Sequence, residues 1–440
     1  MTQAPPTMLD RWAARKIGAD SASFSREALD SWRLKALQEL LQRVRSRSPF
    51  YRDRLPEAAV RSVQRLEDVR NLPFTTPEDI RDHGLRMLCV SQDQAARVVT
   101  QASSGATGPP KRLFFSEADL EATIDFFQYG MLQLAAPGDT ALILLPGETP
   151  DSVGDLLSRA LKRSGVRSMV HGLVADATQA AEAMAKLQPD CIVGFPVHIL
   201  AMAEKLGPMR GRSRNIAVLF CSDYCVDSIA NRLRKLWPCR IFNHYGTVES
   251  GLGGAVECGF RCGAHVREPD LLVEIVDPET GNPLPAGAWG EIVLTTLSRE
   301  AMPLIRYRTG DVSRLAPGSC PCGSVLGRLD KVRGRIDNMP VLQSGRRLEL
   351  ARLDELLFAL PEVFDYSATL DIHAGRERLS LKIASAGQGD LRETRRRIAS
   401  RLAASPEWSI VLDIQLTNDP APLCAGKRTI DDRRFSSCTT

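Results

Sequence analysis

The spacing of hydrophobic positions changes along the chain, and each change predicts a different architecture. Residues 1–75 carry apolar side chains at three- and four-residue spacing, most clearly in ALDSWRLKALQELLQRVRS, which predicts helices. After Thr100, short runs rich in β-forming residues alternate with helical stretches. The runs are TALILL, RSMVHGLV, CIVGF, IAVLF and CRIFNHY, and the helical stretches include DSVGDLLSRALKRS, DATQAAEAMAKL and VDSIANRLRKLW. This alternation is typical of α/β folds with largely parallel strands.

The pattern changes again near residue 265 and once more over the C-terminal segment. HVREPDLLVEIVDPETGNPLPAGAWGEIVLTTLS predicts two strands joined by a turn at D-P-E-T-G-N-P, within a β-rich part. A helix, a hairpin, a helix and a strand are then predicted in ELARLDELLFALP, DYSATLDIHAGRERLSLKIAS, LRETRRRIASRLAAS and WSIVLDIQL. We therefore predict a large α/β domain with parallel-rich sheets over residues 1–335 and a small α+β domain over residues 336–440.

Composition narrows the class of protein. The 440 residues carry a formal net charge of only +4, and no basic stripe with interleaved aromatic residues occurs, so no nucleic-acid partner is expected. The start, MTQAPPTMLDRWAARKIGAD, lacks the apolar core of an export signal, and no run approaches the ~18 apolar residues that a membrane span requires. Eleven cysteines in such a chain are better explained as thiols or metal ligands than as disulfides. The sequence predicts a cytoplasmic protein.

Residues 103–111, SSGATGPPK, connect two predicted strands, RVVTQA and RLFFS. Their two glycines let backbone amides converge on an anion, three hydroxyls add hydrogen-bond donors, and Lys111 adds a mobile positive charge. The pattern G-x-x-x-x-G-K-[ST] is absent, so this is not a Walker loop. Taken alone, the segment fits either a phosphate-binding loop or a surface turn.

Further segments carry polar groups that suit a nucleotide. NHYGTVESG places Tyr245 at a strand end, where its ring could cover a base, and Glu249 where it could hold Mg²⁺. PLIRYRTGDVSRL contains Asp311, which could accept hydrogen bonds from both ribose hydroxyls. The alternative explanation of NHYGTVESG is a strand-end turn with a buried tyrosine. GRIDN at 334–338 and the lysine of the pair Gly426–Lys427 are weaker indications when taken alone.

The order of these motifs is more informative than any one of them. S-S-G-x-T-G-x-P-K, Y-G-x-x-E, Y-R-T-G-D, G-R-x-D and G-K together resemble the adenylate-forming ligase superfamily. Within it, the chain is most similar to the phenylacetate–coenzyme A ligase group, through SPFYRDRL, LPFTTPEDIRDH, TTLSREAMPLIRYRTGD and CPCG. The resemblance implies an enzyme that joins a carboxylate to the α-phosphate of ATP, releases pyrophosphate and passes the acyl group to a thiol, usually that of coenzyme A.

The resemblance also implies which residues bind ATP. They are Ser103, Ser104, Gly105, Thr107, Gly108, Lys111, Ser222, Asp223, His244, Tyr245, Gly246, Thr247, Asp311 and Arg335. Among them, Tyr245 would pack against adenine, and Asp311 would hold the ribose with help from Arg335. His244 could equally line the acyl pocket or pack at a strand end.

Two residues are implied to act in catalysis. Glu249 would bind Mg²⁺, and Lys427 would bridge the carboxylate and the α-phosphate, neutralising charge that builds up in the transition state. Because Lys427 lies in the predicted small domain, the resemblance implies that this domain rotates.

Ala106 and Val248 stand where the family has hydroxyl residues. Losing one charge-assisted hydrogen bond from a hydroxyl to phosphate could cost about 1.5–3 kcal/mol, unless Thr247 or another donor replaces that hydroxyl.

A cysteine–histidine cluster predicts a structural zinc site. Cys258, Cys262 and His265 lie in ECGFRCGAHVRE, and Cys320 and Cys322 lie in CPCG, a turn that can present two thiolates. Four ligands complete such a site, so one of the five is surplus. The pattern of the phenylacetate ligase relatives implies that Cys262 is the surplus residue, although it could substitute for His265. Buried free thiols beside a surface histidine are the alternative explanation.

The sequence therefore predicts an ATP-dependent carboxylic acid ligase that forms an acyl-adenylate and then a coenzyme A thioester. The group favours an aryl or arylacetic acid, bound near residues 126–129, 145–147 and 246–251. Its cofactors would be ATP, Mg²⁺ and structural Zn²⁺, with coenzyme A as co-substrate, and relatives suggest a homodimer. The acyl group could instead pass to a carrier protein or an amine, or a phenolic hydroxyl could be adenylated. A non-catalytic, zinc-stabilised binding protein is a hypothesis of another class.

Overall fold

The computed structural model describes residues 7–21, 23–101, 110–209, 214–224, 226–385, 391–404, 410–417 and 428–434. The chain forms two compact units, and neither is one continuous segment. The first comprises Met1–Ala141, Pro146–Val170 and Phe242–Lys331, and the second comprises Leu142–Leu145, His171–Ile241 and Val332–Thr440. Among the described residues, no helix has both the length and the apolarity needed to cross a membrane.

The N-terminal part is helical, as its hydrophobic spacing predicts. Its helices are α1 (Met8–Ile17), α2 (Arg26–Arg47), α3 (Pro49–Arg54), α4 (Glu57–Arg61) and α5 (Pro77–His83), with 3₁₀ turns at Leu66–Asn71, Gly84–Met87 and Gln92–Gln94. Helices α1 and α5 begin at capping boxes, in which Thr7 and Thr76 exchange hydrogen bonds with Asp10 and Asp79. The apolar face of α2 is buried, which gives these helices a core.

Strands and helices alternate over the next segment, also as predicted. In chain order the elements are β1 (Arg97–Gln101), β2 (Lys111–Phe115), α6 (Glu117–Met131), β3 (Thr140–Leu144), α7 (Val153–Arg163), β4 (Arg167–Val170), α8 (Ala177–Leu187), β5 (Cys191–Gly194), α9 (Pro196–Leu206), β6 (Ile216–Phe220), α10 (Asp227–Leu236) and β7 (Cys239–Tyr245). Strands β1 and β2 pair as an antiparallel hairpin with Gln101 opposite Lys111. Strands β5 and β6 run parallel, and because parallel neighbours need a crossover connection, helix α9 joins them.

The β-rich part follows β7. Its strands are β8 (Ala255–Glu257), β9 (Ala264–Val266), β10 (Leu271–Val276), β11 (Gly290–Thr296), β12 (Tyr307–Ser313), β13 (Arg328–Leu329) and β14 (Gly334–Arg335). Strands β10, β11 and β12 form an antiparallel sheet, and the end of β7 pairs with β8, β8 with β9 and β9 with β13. The turn predicted between β10 and β11 is confirmed, because the Gly281 amide donates to the Asp277 carbonyl at 2.8 Å.

The C-terminal segment has the predicted order of helix, hairpin, helix and strand. Its elements are a 3₁₀ turn (Ile336–Asn338), α11 (Leu350–Leu357), β15 (Val363–His373), β16 (Arg376–Ser385), α12 (Leu391–Ala403), β17 (Val411–Thr417) and β18 (Ile430–Asp432). The sheet order is β17-β16-β15-β18, and the short β18 runs parallel to β15. Leu353 and Leu357 of α11 share one hydrophobic core with Ile229 and Leu233 of α10. The domain boundary at residue 335 stays a prediction.

Candidate functional site

Three polar side chains that lie far apart in the sequence meet in the first unit. Lys111 begins β2, Tyr307 begins β12, and Glu249 lies in the turn after β7. The Tyr307 hydroxyl donates to Oε1 of Glu249 at 3.0 Å, and Lys111 Nζ donates to the Tyr307 hydroxyl oxygen at 3.3 Å. Lys111 also forms an ion pair with the same Oε1. The side chains of Lys111 and Glu249 are only 11% and 6% exposed, so water screens this pair poorly.

The surroundings of Glu249 hold it in the ionised form. Burial by itself raises a carboxyl pKa, but the adjacent Lys111 ammonium and the hydroxyl of Tyr307 outweigh burial and lower the pKa of Glu249 to about 2. Arg299 is a second buried cation nearby. Its Nη2 donates to the Val248 carbonyl at 3.2 Å, and burial lowers its pKa to about 10. Glu249 therefore carries its charge at neutral pH, as a ligand of a divalent cation must.

The turn after β7 is fixed by hydrogen bonds within itself. The Thr247 amide donates to Ser250 Oγ at 3.0 Å, and the Ser250 amide donates to Thr247 Oγ1 at 3.2 Å. Because Thr247 Oγ1 accepts that bond, its own proton can serve as the donor that Val248 lacks. A Cβ added at Gly246 would lie 2.3 Å from the Leu252 carbonyl oxygen, so only glycine fits there.

Tyr245 and Asp311 form a second polar pair in the first unit. The Tyr245 hydroxyl donates to Asp311 Oδ2 at 3.0 Å, and both residues are buried. The Asp311 amide donates to Thr309 Oγ1 at 3.0 Å, while Gly310 adopts φ 74°. Burial, together with the charge of Asp311, raises the pKa of Tyr245 well above its ordinary value. The hydroxyl therefore stays protonated and continues to donate.

His244 is an uncharged histidine beside aromatic residues. Burial lowers its pKa to about 4, and its Nε2 has no hydrogen-bond partner among the described residues. The Phe127 ring stands edge-on to it, with 6.4 Å between the ring centroids. A Cβ at Gly253 would meet the ring of Phe126 at 2.7 Å, so the close approach of this ring depends on glycine. Buried polar atoms are normally paired, so the imidazole nitrogen suits a polar group of a bound molecule.

Four potential metal ligands converge elsewhere in the first unit. The ligand atoms of Cys258, His265, Cys320 and Cys322 all lie within 4.8 Å of one another. The sulfurs of Cys258 and Cys320 are 3.7 Å apart, and Cys322 Sγ is 3.4 Å from His265 Nε2. Tetrahedral zinc with Zn–S bonds of ~2.3 Å has sulfur–sulfur edges of ~3.8 Å, so the spacing fits. His265 Nδ1 lies 3.3 Å from the Leu326 carbonyl oxygen, so Nε2 is the nitrogen that could bind a metal ion.

Cys262 interacts with Cys320 but is not one of the four clustered ligands. It is exposed, and its Sγ lies 3.4 Å from the Phe260 carbonyl oxygen. Arg261 turns the chain with φ 54°, whereas His265 points inward from β9 and is buried. The geometry therefore favours His265 over Cys262 as the fourth ligand. His265 is also not the surface histidine that the free-thiol explanation requires.

A comparison with protein families identifies the family of this chain. The AMP-binding enzyme family matches residues 27–298, a range that includes Lys111, Tyr245 and Glu249. The chain belongs to the AMP-binding enzyme family. The resemblance to adenylate-forming ligases is thereby confirmed.

Relatives place this AMP-binding enzyme in the phenylacetate–coenzyme A ligase-like group. The phenylacetate–coenzyme A ligase of Thermus thermophilus is 33% identical over 356 residues, which cover 77% of this chain and 78% of that protein. The Escherichia coli phenylacetate–coenzyme A ligase is 28% identical over 328 residues, 72% of each chain. The chain is thus an AMP-forming acid–coenzyme A ligase.

A solved structure confirms the predicted α/β fold. A 2-hydroxyisobutyryl-CoA ligase in the postadenylation state, in complex with 2-HIB-AMP, is similar to this chain with a TM-score of 0.79. The two chains are 20% identical, and the match covers 93% of this chain and 90% of that one. At that identity the likeness concerns the fold alone.

Other predicted site residues of this AMP-binding enzyme belong to the second unit or fall outside the described residues. Ser222 and Asp223 follow β6, and Arg335 ends β14, all in the second unit. Ser222 adopts φ 68°, a strained conformation for a residue with a Cβ and one that is frequent at functional sites. Outside the described residues lie Ser103, Ser104, Gly105, Ala106, Thr107, Gly108 and Lys427.

Two residues of the site were not predicted to take part. Tyr307 is the first residue of the motif Y-R-T-G-D, in which only Asp311 was expected to contact the nucleotide. Arg299 lies in TTLSREAMPLI between Ser298 and Glu300, so nothing in the local sequence distinguishes it from a surface arginine. Its burial comes from the fold.

Proposed function

We propose that this AMP-binding enzyme activates an aryl or arylacetic acid with ATP and transfers the acyl group to coenzyme A. The observation that carries the proposal is the convergence of Lys111, Glu249 and Tyr307 near the Tyr245–Asp311 pair. A buried lysine suits phosphate, an ionised carboxylate suits Mg²⁺, and a tyrosine beside an aspartate suits a nucleoside. The chain brings these groups together from three separate motifs.

The nucleotide roles follow from these groups. Lys111, together with the segment 103–108, contacts the triphosphate, Tyr245 packs on adenine, and Asp311 accepts hydrogen bonds from the ribose. The Thr247 hydroxyl contacts the α-phosphate in place of a hydroxyl at Val248. The proposed set is completed by Gly246, whose lack of a side chain admits the nucleotide, and by Ser222, Asp223, His244 and Arg335.

The proposed reaction has two steps. An oxygen of the substrate carboxylate attacks the α-phosphorus, the bond to the bridging oxygen of pyrophosphate breaks, and an acyl-adenylate forms. The thiolate of coenzyme A then attacks the acyl carbon, and AMP leaves. Glu249 holds Mg²⁺, which when bound neutralises phosphate charge. Lys427 neutralises charge at the α-phosphate in the first step.

An aromatic acid is proposed from the groups around His244. The Phe127 ring stands edge-on to His244, and the rings of Phe126 and Phe127 both approach Gly253, so a planar acyl group bound here would meet aromatic neighbours. The relatives that match most of this chain are also phenylacetate–coenzyme A ligases. A homodimer stays a prediction.

The test is a substrate screen with the full-length protein. ATP–pyrophosphate exchange is measured with aryl, arylacetic and small aliphatic acids, and thioester formation is then measured with coenzyme A. We expect exchange and thioester formation with aryl or arylacetic acids. Exchange without thioester would favour a carrier-protein or amine acceptor instead, and exchange confined to aliphatic acids would contradict the proposed substrate class. No exchange with any acid in the screen would contradict the proposed substrate class as well.

We further propose that Cys258, His265, Cys320 and Cys322 hold a structural Zn²⁺. Three thiolates and an imidazole at tetrahedral spacing are a common structural zinc set. The four residues come from two segments, one around β8 and β9 and the other before β13, so the ion would tie them together. With four protein ligands, no position remains for water, which excludes a catalytic role for this zinc.

Replacing Cys320 by serine is expected to remove zinc and lower the thermal stability of the protein. Zinc binding is linked to folding, so losing a ligand also loses the stability that the ion supplies. Metal analysis of protein purified without chelators, combined with thermal denaturation, measures both effects. The matched control is Cys262→Ser, which should retain about one zinc per chain. Substoichiometric zinc in the wild-type protein, or loss of zinc only in Cys262→Ser, would contradict the assignment.

A further inference from the structure

The Lys111–Glu249 ion pair joins two residues to which the proposed function gives different ligands. Glu249 is proposed to bind Mg²⁺ and Lys111 to bind phosphate, yet here they bind each other. Both side chains are almost completely buried, so the contact is more than a surface ion pair. The inference below rests on the proposed function and concerns the order in which these ligands can enter.

One oxygen of Glu249 receives both hydrogen bonds of the cluster. Lys111 Nζ and the Tyr307 hydroxyl both donate to Oε1, and they also contact each other at 3.3 Å. A carboxylate oxygen accepts about two such bonds, so a metal ion would have to bind through Oε2, next to the Lys111 ammonium. A divalent cation beside the Lys111 ammonium would also face like-charge repulsion in a poorly screened site.

Lys111 and Tyr307 differ in how readily they can move away from Glu249. Lys111 has a flexible four-carbon stem and lies at the first position of β2, directly after the segment 103–110. Tyr307 is fully buried at the start of β12, where Arg306 and Arg308 exchange backbone hydrogen bonds with Thr75 at 3.1 and 2.9 Å. The lysine can therefore move to another anion, while the tyrosine remains in place.

We propose that the Lys111 ammonium and Mg²⁺ are alternative occupants of the Glu249 carboxylate, while Tyr307 positions that carboxylate for both. A triphosphate draws Lys111 away from Glu249 and supplies oxygens for the cation at the same time. Free Mg²⁺ is therefore excluded from the site until nucleotide binds. Tyr307 is a positioning residue, because it acts through Glu249.

The experiment titrates the full-length protein with Mn²⁺ as a paramagnetic substitute for Mg²⁺, using electron paramagnetic resonance to count bound ions. Without nucleotide, the wild-type protein should bind Mn²⁺ weakly, whereas Lys111→Met should bind one ion at least about tenfold more tightly because the competing charge is gone. Lys111→Arg keeps a cation beside Glu249, so it should bind as weakly as the wild type. The matched control is Lys35→Met, which removes an exposed lysine paired with Glu39.

Two further variants assign the gained ion to this site. Adding Glu249→Gln to Lys111→Met should abolish the tighter Mn²⁺ binding. Adding Tyr307→Phe to Lys111→Met should weaken Mn²⁺ binding, but the double variant should still bind Mn²⁺ more tightly than the wild type. Circular dichroism and thermal denaturation establish that each variant is folded. If wild-type protein binds Mn²⁺ without nucleotide as tightly as folded Lys111→Met does, the inference is overturned.

A second series separates this inference from the proposed function. Mn²⁺ binding is measured with a non-hydrolysable ATP analogue present. If the wild type then binds Mn²⁺ and Glu249→Gln does not, the proposed magnesium role of Glu249 is supported. The result for Lys111→Met without nucleotide then decides whether the Lys111 ammonium and the metal ion compete for Glu249. If Glu249→Gln binds Mn²⁺ with the analogue as well as the wild type, the magnesium role of Glu249 fails, and the competition fails with it.

Discussion

Replacing Lys427 by alanine is expected to reduce ATP–pyrophosphate exchange by about 10²–10³-fold, the usual effect of removing one group that stabilises transition-state charge. In the proposed first step, negative charge accumulates where the substrate carboxylate meets the α-phosphate. A lysine bridging the two groups stabilises this arrangement more than it stabilises bound ATP, so the loss should fall on kcat. Exchange at saturating ATP and acid measures that loss directly.

The control for Lys427→Ala lies in the same C-terminal segment. Lys382 is exposed on β16, and its replacement by alanine should leave the exchange rate unchanged. Thioester formation from supplied acyl-adenylate provides a second comparison, since that step does not involve attack on the α-phosphate. We expect Lys427→Ala to retain most of this second activity. An exchange rate equal to that of the wild type in Lys427→Ala would contradict the assignment of Lys427 as the catalytic lysine.

The local elements of the fold could be predicted because their signals are local. The turn between β10 and β11 is fixed by Asp277 and Gly281, which stand within one stretch of seven residues. Helix α9 was not predicted, since Val197–Ala203 is buried all round and shows no amphipathic period. The short β18 was not predicted either. It pairs with β15, and such distant pairing leaves no periodic pattern in so short a strand.

The candidate site could be predicted as a set of residues but not as a set of contacts. The sequence resemblance suggested a phosphate for Lys111 and a magnesium ion for Glu249, and nothing in it indicated that these side chains pair with each other across 138 positions. The role of Tyr307 depends on the same distant contact. Similarly, spacing left Cys262 as an alternative to His265, and only the folded structure separates them, because His265 is buried among the other ligand atoms and Cys262 is exposed.

Replacing Glu249 by glutamine is expected to have two separable effects. The first is a loss of pyrophosphate exchange of about 10²-fold or more, because the neutral amide cannot hold the cation that offsets phosphate charge. The second is a loss of folding stability, at most about 3–5 kcal/mol, because the Lys111 ammonium loses its partner and must either stay buried unpaired or move out of the site. Exchange measured at several Mg²⁺ concentrations reports the first effect, and chemical denaturation reports the second.

The double variant Lys111→Met/Glu249→Gln distinguishes catalysis from folding. Removing both charges leaves no unpaired ion in the buried site, so most of the lost stability should return. Exchange should stay as low as in Glu249→Gln or fall further, since neither proposed ligand group is restored. The matched control is Glu279→Gln in the exposed turn between β10 and β11, which should change neither quantity. If the double variant regains exchange together with stability, Glu249 supports the fold rather than binding the magnesium ion of the reaction.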